Sequence, residues 1–231
     1  VKKALINEKE EIYFYKDQEF KSFSSLVDFL GFNSRKQTFK KLLTKNNDIE
    51  ETINIMKINK ITEQTNPKTK NIDQLSIIEI LRCINDEDKL IAKEIEKVLP
   101  KISSFIDQIV RQIQKKGRLI YIGSGTSGRL GVLDASECPP TFGVSTDLVL
   151  GVISGGDKAL RESIENAEDS SQNSIQDLKK ISLNQNDILL GISASGTTPY
   201  VLSALTYANK IGSQTGFLTC NDIKSLDYVN F

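Results

Sequence analysis

The period of the hydrophobic positions changes at Gly117. Before it, "SIIEILRCINDEDKLIAKEIEKVLPKISSFIDQIVRQIQKK" (76–116) sets apolar residues three and four apart, the spacing of amphipathic helices. Ser76 and Glu79 have the spacing of a capping box. Ile77, Ile80, Leu81 and Ile84 form one stripe, and Leu90, Ile91, Ile95, Val98 and Leu99 a second. Pro100 is expected to break the pattern, with a third helix from about 102 to 115 stopped by Gly117. After Gly117 come four short apolar runs without polar alternation: "RLIYI" (118–122), "LVLGVI" (148–153), "DILLGI" (187–192) and "TGFLT" (215–219). Buried parallel strands read this way. Helical stretches are expected between them at roughly 128–135, 158–180 and 199–210. Strands alternating with helices predict an α/β fold, a doubly wound parallel sheet preceded by a helical N-terminal region. Ligands of such sheets sit at the carboxyl ends of the strands. Those ends read "GSGTSG", "SGGD", "SASGTTP" and "CND".

The chain divides into three parts on this reading: 1–55, 56–116 and 117–231. The first is rich in Lys, Asn and Phe, and "FKSFSSLVDFLGF" and "SRKQTFKKLLTK" suggest two short helices. It carries no recognisable chemistry and precedes Met56, the one methionine, so it is expected to be dispensable for a site. The second opens with "KINKITEQTNPKTKNIDQL" (57–75), polar and interrupted by Pro67, an expected extended arm leading into the helices.

Composition narrows the chemistry. Thirty basic residues balance thirty acidic ones, so no net field draws nucleic acid. No apolar run is long enough to span a bilayer, and no secretory signal is visible. The three cysteines are scattered and odd in number, which suits a reducing cytoplasm. There is no histidine. A His-based triad is therefore excluded, and the residues offer no obvious zinc ligand set. Acid–base chemistry falls to Glu, Asp, Lys, Tyr or Cys.

Two loops carry candidate chemistry. "GSGTSG" (123–128) has the G-x-G-x-x-G spacing after a strand, but the acidic residue expected at the end of the next strand is missing. A P-loop is disfavoured, because Arg129 and Leu130 replace the required Lys and Ser/Thr. What remains is an anion-binding turn, with Ser124, Thr126 and Ser127 at the start of a helix. "SASGTTP" (193–199) repeats the device with Ser193, Ser195, Gly196, Thr197 and Thr198 before a proline suited to a first helical turn. A structural tight turn would explain the first loop alone, and simple N-capping the second. Together they suit a phosphate and several sugar hydroxyls. Among the acidic residues, Glu137 in "DASECPPTF" is expected in a stiff, partly buried prolyl setting. Pattern alone does not choose Glu137 and Glu168 over Asp134, Glu165 or Asp169.

"GRLIYIGSGTSGRLGVLDASECPPTFGV", "ENAEDS" and "GISASGTTPYV" closely resemble the N-acetylmuramic acid 6-phosphate etherases of the sugar isomerase (SIS) superfamily, and the resemblance runs from about Ile61 to Cys220. It implies a SIS-type sheet and cleavage of the D-lactyl ether of N-acetylmuramic acid 6-phosphate, giving N-acetylglucosamine 6-phosphate and D-lactate. It further implies cytoplasmic cell-wall sugar recycling, a homodimer, and no metal or other cofactor. It makes Glu137 the acid that later activates water, and Glu168 the base. Two departures stand out. Thr197 occupies a position where many family members have Arg. The chain also ends twelve residues after "TGFLT", so the resemblance implies a domain incomplete at its C-terminus. A non-catalytic sugar-phosphate regulator and an aldose–ketose isomerase of the same superfamily are the competing readings.

Overall fold

The computed structural model describes residues 61–231 apart from 222 and 224, and within the first sixty residues only 13–15, 18–20 and the positions 23, 26, 40, 43 and 49. The chain forms two compact units, Val1–Lys60 and Ile61–Phe231. In the first, β1 (Tyr13–Tyr15) and β2 (Gln18–Phe20) pair antiparallel, which the sequence reading did not anticipate. The two helices expected there fall almost wholly outside the described residues.

The second unit begins with an arm of three 3-10 turns, Ile61–Glu63, Pro67–Thr69 and Ile72–Gln74, rather than a fully extended strand. Asn66 caps the second turn by accepting the Lys68 N–H at 3.0 Å. The capping box then forms as expected, with the Ser76 N–H donating to Glu79 Oε2 at 2.9 Å. It starts one helix, α1 (Ile77–Gln114), where three were predicted. Pro100 lies inside it. The apolar spacing continues in phase on both sides of the proline. The backbone bond that proline cannot donate is lost on an exposed helix, where water solvates the freed carbonyl.

Four parallel strands follow, β3 (Leu119–Gly123), β4 (Val149–Ile153), β5 (Ile188–Ile192) and β6 (Gln214–Leu218), in the order β4-β3-β5-β6. Each lies within one residue of its apolar run. Between them run α2 (Gly125–Phe142), α3 (Ser171–Lys180) and α4 (Pro199–Lys210). The helix expected over 158–180 is instead a loop with short 3-10 turns followed by α3. The first inter-strand helix is much longer than expected and runs through Pro139 and Pro140. Gly143, at φ 65°, closes it by donating to the Pro139 carbonyl at 2.9 Å.

Register assigns the layers. Tyr121, Gly151, Leu190 and Gly216 are aligned across the sheet. A Cβ on Gly151 would meet Val132 of α2, and one on Gly216 would meet the Phe105 ring of α1. The opposite face carries Ile120, Ile122 and Leu189 against Leu178 of α3 and Val201, Ala204 and Leu205 of α4, all fully buried. Helices thus cover both faces, as a doubly wound sheet requires. The outer edge of β6 is taken by the last residues of the chain. Phe217 donates to the Phe231 carbonyl at 3.0 Å, and Thr215 Oγ1 donates to the Tyr228 carbonyl at 2.8 Å.

At the amino ends of β3 and β5 sits a buried charge pair. Asp187 is fully buried and accepts from the Arg118 N–H at 3.0 Å, from Arg118 Nε at 3.0 Å and from Arg118 Nη2 at 2.6 Å. Asn184 adds its backbone N–H and its side-chain amide, both at 3.0 Å. Arg118 is held above the ordinary guanidinium value, chiefly by its hydrogen bond to Asp187. This network fixes the two central strands at the end opposite their hydroxyl-bearing loops. Among the described residues, no helix is long and apolar enough to cross a membrane.

Candidate active site

The glycines of "GSGTSG" serve close packing. A Cβ on Gly123 would lie 2.6 Å from the Gly128 nitrogen, and one on Gly128 would lie 2.7 Å from the Gly123 carbonyl. The end of β3 and the first turn of α2 therefore touch backbone to backbone, with no dinucleotide needed to account for the motif. Ser124 is the N-cap of α2, yet its side chain makes no capping bond, and its Oγ is buried without a partner. Thr126 is exposed and Ser127 half-buried at the helix start, where backbone N–H groups point outward.

On the neighbouring strand end, Ser193 Oγ lies 2.8 Å from Thr198 Oγ1 and 3.4 Å from Ser195 Oγ, and Ser195 Oγ lies 3.2 Å from Thr197 Oγ1. Thr198 is the N-cap of α4 with Pro199 behind it, but again the side chain makes no capping bond. Neither N-cap hydroxyl caps its helix: Ser124 Oγ has no partner, and Thr198 Oγ1 is paired with Ser193 Oγ. β3 and β5 are adjacent, so the two loops are neighbours. Gly196 turns the second loop at φ 69°, and a Cβ there would lie 2.8 Å from Ile223 and 2.9 Å from Thr219 Oγ1.

Two side chains, Asn221 and Arg129, brace these loops, and sequence reasoning missed both. The Ala194 carbonyl accepts from the Cys220 N–H at 3.1 Å, from Thr219 Oγ1 at 3.3 Å and from Asn221 Nδ2 at 3.0 Å. Asn221 Nδ2 also donates to Thr62 Oγ1 at 2.9 Å, tying the arm to the hydroxyl loop. Arg129, on the first turns of α2, donates from Nε to the carbonyls of Ala159 at 3.0 Å and Leu160 at 3.2 Å, and from Nη2 to that of Glu162 at 3.1 Å. It straps the loop after β4 to α2. These partners lie about thirty or more residues away in sequence, which leaves no local signal.

Glu168 is exposed on the 3-10 turn Ala167–Asp169, which follows β4 and packs against α4, on the carboxyl side of the sheet. Glu137 is exposed on the fourth turn of α2. The expected stiff, partly buried prolyl turn is not there, because the prolines lie within the helix and the carboxylate points to its outer side. Among the described residues neither glutamate has an ion-pair partner. Closer to the sheet, the Asp134 carboxylate of α2 neighbours Tyr121 of β3. Burial first, and then this carboxylate, push that phenol well above its ordinary range. The Cys138 thiol is raised by burial and by the nearby Asp134 carboxylate.

Comparison with known proteins bears on the fold and the family. Residues 101–209 match the family model of the glucokinase regulatory protein N-terminal SIS domain. The phosphoheptose isomerase of Neisseria gonorrhoeae superposes with a TM-score of 0.51 at 19% identity, covering 62% of this chain and 75% of that one, a likeness of fold alone. The N-acetylmuramic acid 6-phosphate etherase of Caldanaerobacter subterraneus is 53% identical over 169 residues, 73% of this chain and 55% of that protein. That of Clostridium botulinum strain Loch Maree is 55% identical over 161 residues, 70% of this chain and 53% of that protein. The chain thus spans about half the length of the curated relatives it matches. With a SIS-type sheet, two neighbouring hydroxyl loops and this level of identity, the chain belongs to the N-acetylmuramic acid 6-phosphate etherase family.

Proposed function

We propose that this chain supplies the sugar-phosphate site of an enzyme that cleaves the D-lactyl ether of N-acetylmuramic acid 6-phosphate, in recycling of cell-wall sugar. The observation that carries the reading is the pair of adjacent N-cap hydroxyls unused for capping, set in a sequence more than half identical to named etherases. In this reading Ser124, Thr126, Ser127, Ser193, Ser195, Gly196, Thr197 and Thr198 receive the phosphate and sugar hydroxyls. Helix-start N–H groups favour the anion without a basic patch.

An ether resists direct hydrolysis because an alkoxide leaves poorly. The open-chain sugar carries an aldehyde at C1, which acidifies the hydrogen at C2. Glu168 takes that proton, and the electron pair forms the C2–C3 double bond. The C3–O bond breaks, and Glu137 protonates the departing lactate oxygen. Water activated by Glu137 then adds at C3, and a proton returns to C2. The products are N-acetylglucosamine 6-phosphate and D-lactate. Two carboxyl groups in opposite protonation states suffice for the acid and base roles. Binding energy at the phosphate orients C2.

The balanced charge, scattered cysteines and small-molecule site support a cytoplasmic enzyme with no nucleic-acid partner. Homodimerisation through 61–116 is supported by the apolar stripe of α1, where Ile77, Leu81, Ile84, Ile91, Ile95 and Leu99 are all exposed in the single chain. The match to a regulatory protein's domain favours one alternative, a sugar-phosphate sensor without chemistry. The test is D-lactate release from N-acetylmuramic acid 6-phosphate. It is run on this chain and on a chimera extended with the remaining half of the Caldanaerobacter relative. Release by the chimera supports the enzyme, whereas calorimetric binding without release supports the sensor.

A further inference from the structure

The loop that carries Glu168 runs from the end of β4 at Ile153 to the start of α3 at Ser171, with the 3-10 turns Asp157–Leu160 and Ala167–Asp169 along it. At its root Ser154 donates its N–H to the Gly123 carbonyl at 3.0 Å. A Cβ on Gly155 would lie 3.1 Å from Ile164 and 3.2 Å from Ala159, so the loop folds back over that root. Its first turn packs against α2, and the turn bearing Glu168 packs against α4. Arg129 bonds the middle of the loop to α2, from Nε to the carbonyls of Ala159 and Leu160 and from Nη2 to that of Glu162. From Glu162 the chain reaches Glu168 through Asn166, whose left-handed φ of 59° opens the second turn. Arg129 is rooted one turn inside α2, which begins at Gly125, and helical side chains lean toward the N-terminus. Its guanidinium therefore joins the helix start that bears Thr126 and Ser127 to the loop that bears Glu168. All three acceptors are neutral carbonyls, held by a planar fork that a lysine cannot reproduce.

We propose that Arg129 is a positioning residue for the base: it sets the spacing between the helix start that receives the phosphate and the loop that presents Glu168 to C2. The inference rests on the proposed roles of that helix start and of Glu168. The phosphate and the acidic hydrogen sit on one substrate, at C6 and C2. Binding at the phosphate therefore orients C2 only if the two protein elements keep a fixed separation. A base must come within about 2.6–3.2 Å of the atom whose proton it takes, and a misplacement of about 1 Å costs on the order of a hundredfold. Glu168 is exposed on a short turn, so its placement depends on how the loop beneath it is held. Arg129 supplies that hold from the phosphate side. Loss of the fork should spare substrate binding and slow proton removal.

The strap itself is tested without activity, by amide exchange on this chain. Arg129→Lys should quicken exchange across 157–169 while β3 and β5 stay protected. Unchanged exchange in the loop overturns the proposal. Equal loss of protection in β3 and β5 marks a merely structural residue and overturns it too. The effect on the base is read in the extended chimera, as D-lactate release and as deuterium exchange at C2. In Arg129→Lys both kcat and C2 exchange should fall roughly a hundredfold, while KM and calorimetric affinity for N-acetylglucosamine 6-phosphate stay within about threefold. Methylguanidine added to Arg129→Ala should restore part of kcat by refilling the fork, and no rescue counts against the proposal. A raised KM with unchanged kcat overturns it and makes Arg129 a phosphate contact instead. An unsubstituted chimera that releases no D-lactate refutes the etherase reading, and amide exchange still judges the strap.

Discussion

Removing Asp187 should unfold much of the molecule's margin of stability without touching the site. The Asp187 carboxylate is fully buried and accepts five bonds from Arg118 and Asn184. Asp187→Ala deletes all five. It also leaves the Arg118 guanidinium, only 22% exposed, with just the carbonyls of Ile181 and Ser182. Breaking a buried pair by removing one partner costs about 3–5 kcal/mol. Typical total stability is about 5–15 kcal/mol. For a domain of this size each kcal/mol moves Tm by about 2–4 °C, so the midpoint should fall by roughly 6–20 °C. Pairing Asp187→Ala with Arg118→Met removes the stranded charge, and a double-mutant cycle should recover at least ~1 kcal/mol of the loss. Urea unfolding followed by circular dichroism measures each value. A loss below about 1 kcal/mol for Asp187→Ala would refute the reasoning, because the bonds would then be offset by the cost of burying the pair.

Three further outcomes are expected. Ser195→Ala should weaken calorimetric binding of a sugar phosphate by roughly 1–3 kcal/mol, the cost of an unmet bond to a charged group; unchanged affinity removes Ser195 from the site. Asn221→Ala should speed amide exchange in the arm and in 193–198 together while β3 stays protected, since one side chain holds both; unchanged exchange at 193–198 shows that the brace is idle. Tyr121 and Tyr200 are both raised above the ordinary phenol value of 10.0, first by burial and then by the neighbouring Asp134 carboxylate and by the hydrogen bond from the Tyr200 hydroxyl to Asp177. Their folded state holds the proton more tightly than the unfolded chain. Their contribution is therefore complete below pH 10 and is lost as pH rises above it. Urea stability should fall above pH 10, and the Tyr121→Phe, Tyr200→Phe double variant should flatten that slope.

The strands were legible because buried parallel strands are continuous apolar runs, a signal that tertiary packing reinforces. The prolines misled. Pro100 read as a stop, and Pro139 and Pro140 as a stiff setting for Glu137, yet all three lie within helices. An exposed helix sheds one bond to water at modest cost, and amphipathic spacing carried across Pro100 outweighs that loss. The two hydroxyl loops were legible as loops, but only coordinates show that Ser124 and Thr198 leave their capping role unfilled. Arg129 and Asn221 carried no local pattern, because their partners are brought in by the fold. Glu137 was identified through resemblance. Its place on the fourth turn of α2 follows from a helix that runs well past the eight residues expected of it.

The central claim is that Glu168 is the base and Glu137 handles the leaving oxygen. Deuterium exchange at C2 separates these roles most directly. The extended chimera is incubated in heavy water with the sugar phosphate, and C2 is followed by NMR alongside D-lactate release. The account predicts that Glu168→Gln incorporates no deuterium at C2, whereas Glu137→Gln still exchanges C2 but releases lactate slowly. Exchange by Glu168→Gln at the unsubstituted rate, or full ether cleavage by Glu137→Gln, would contradict it.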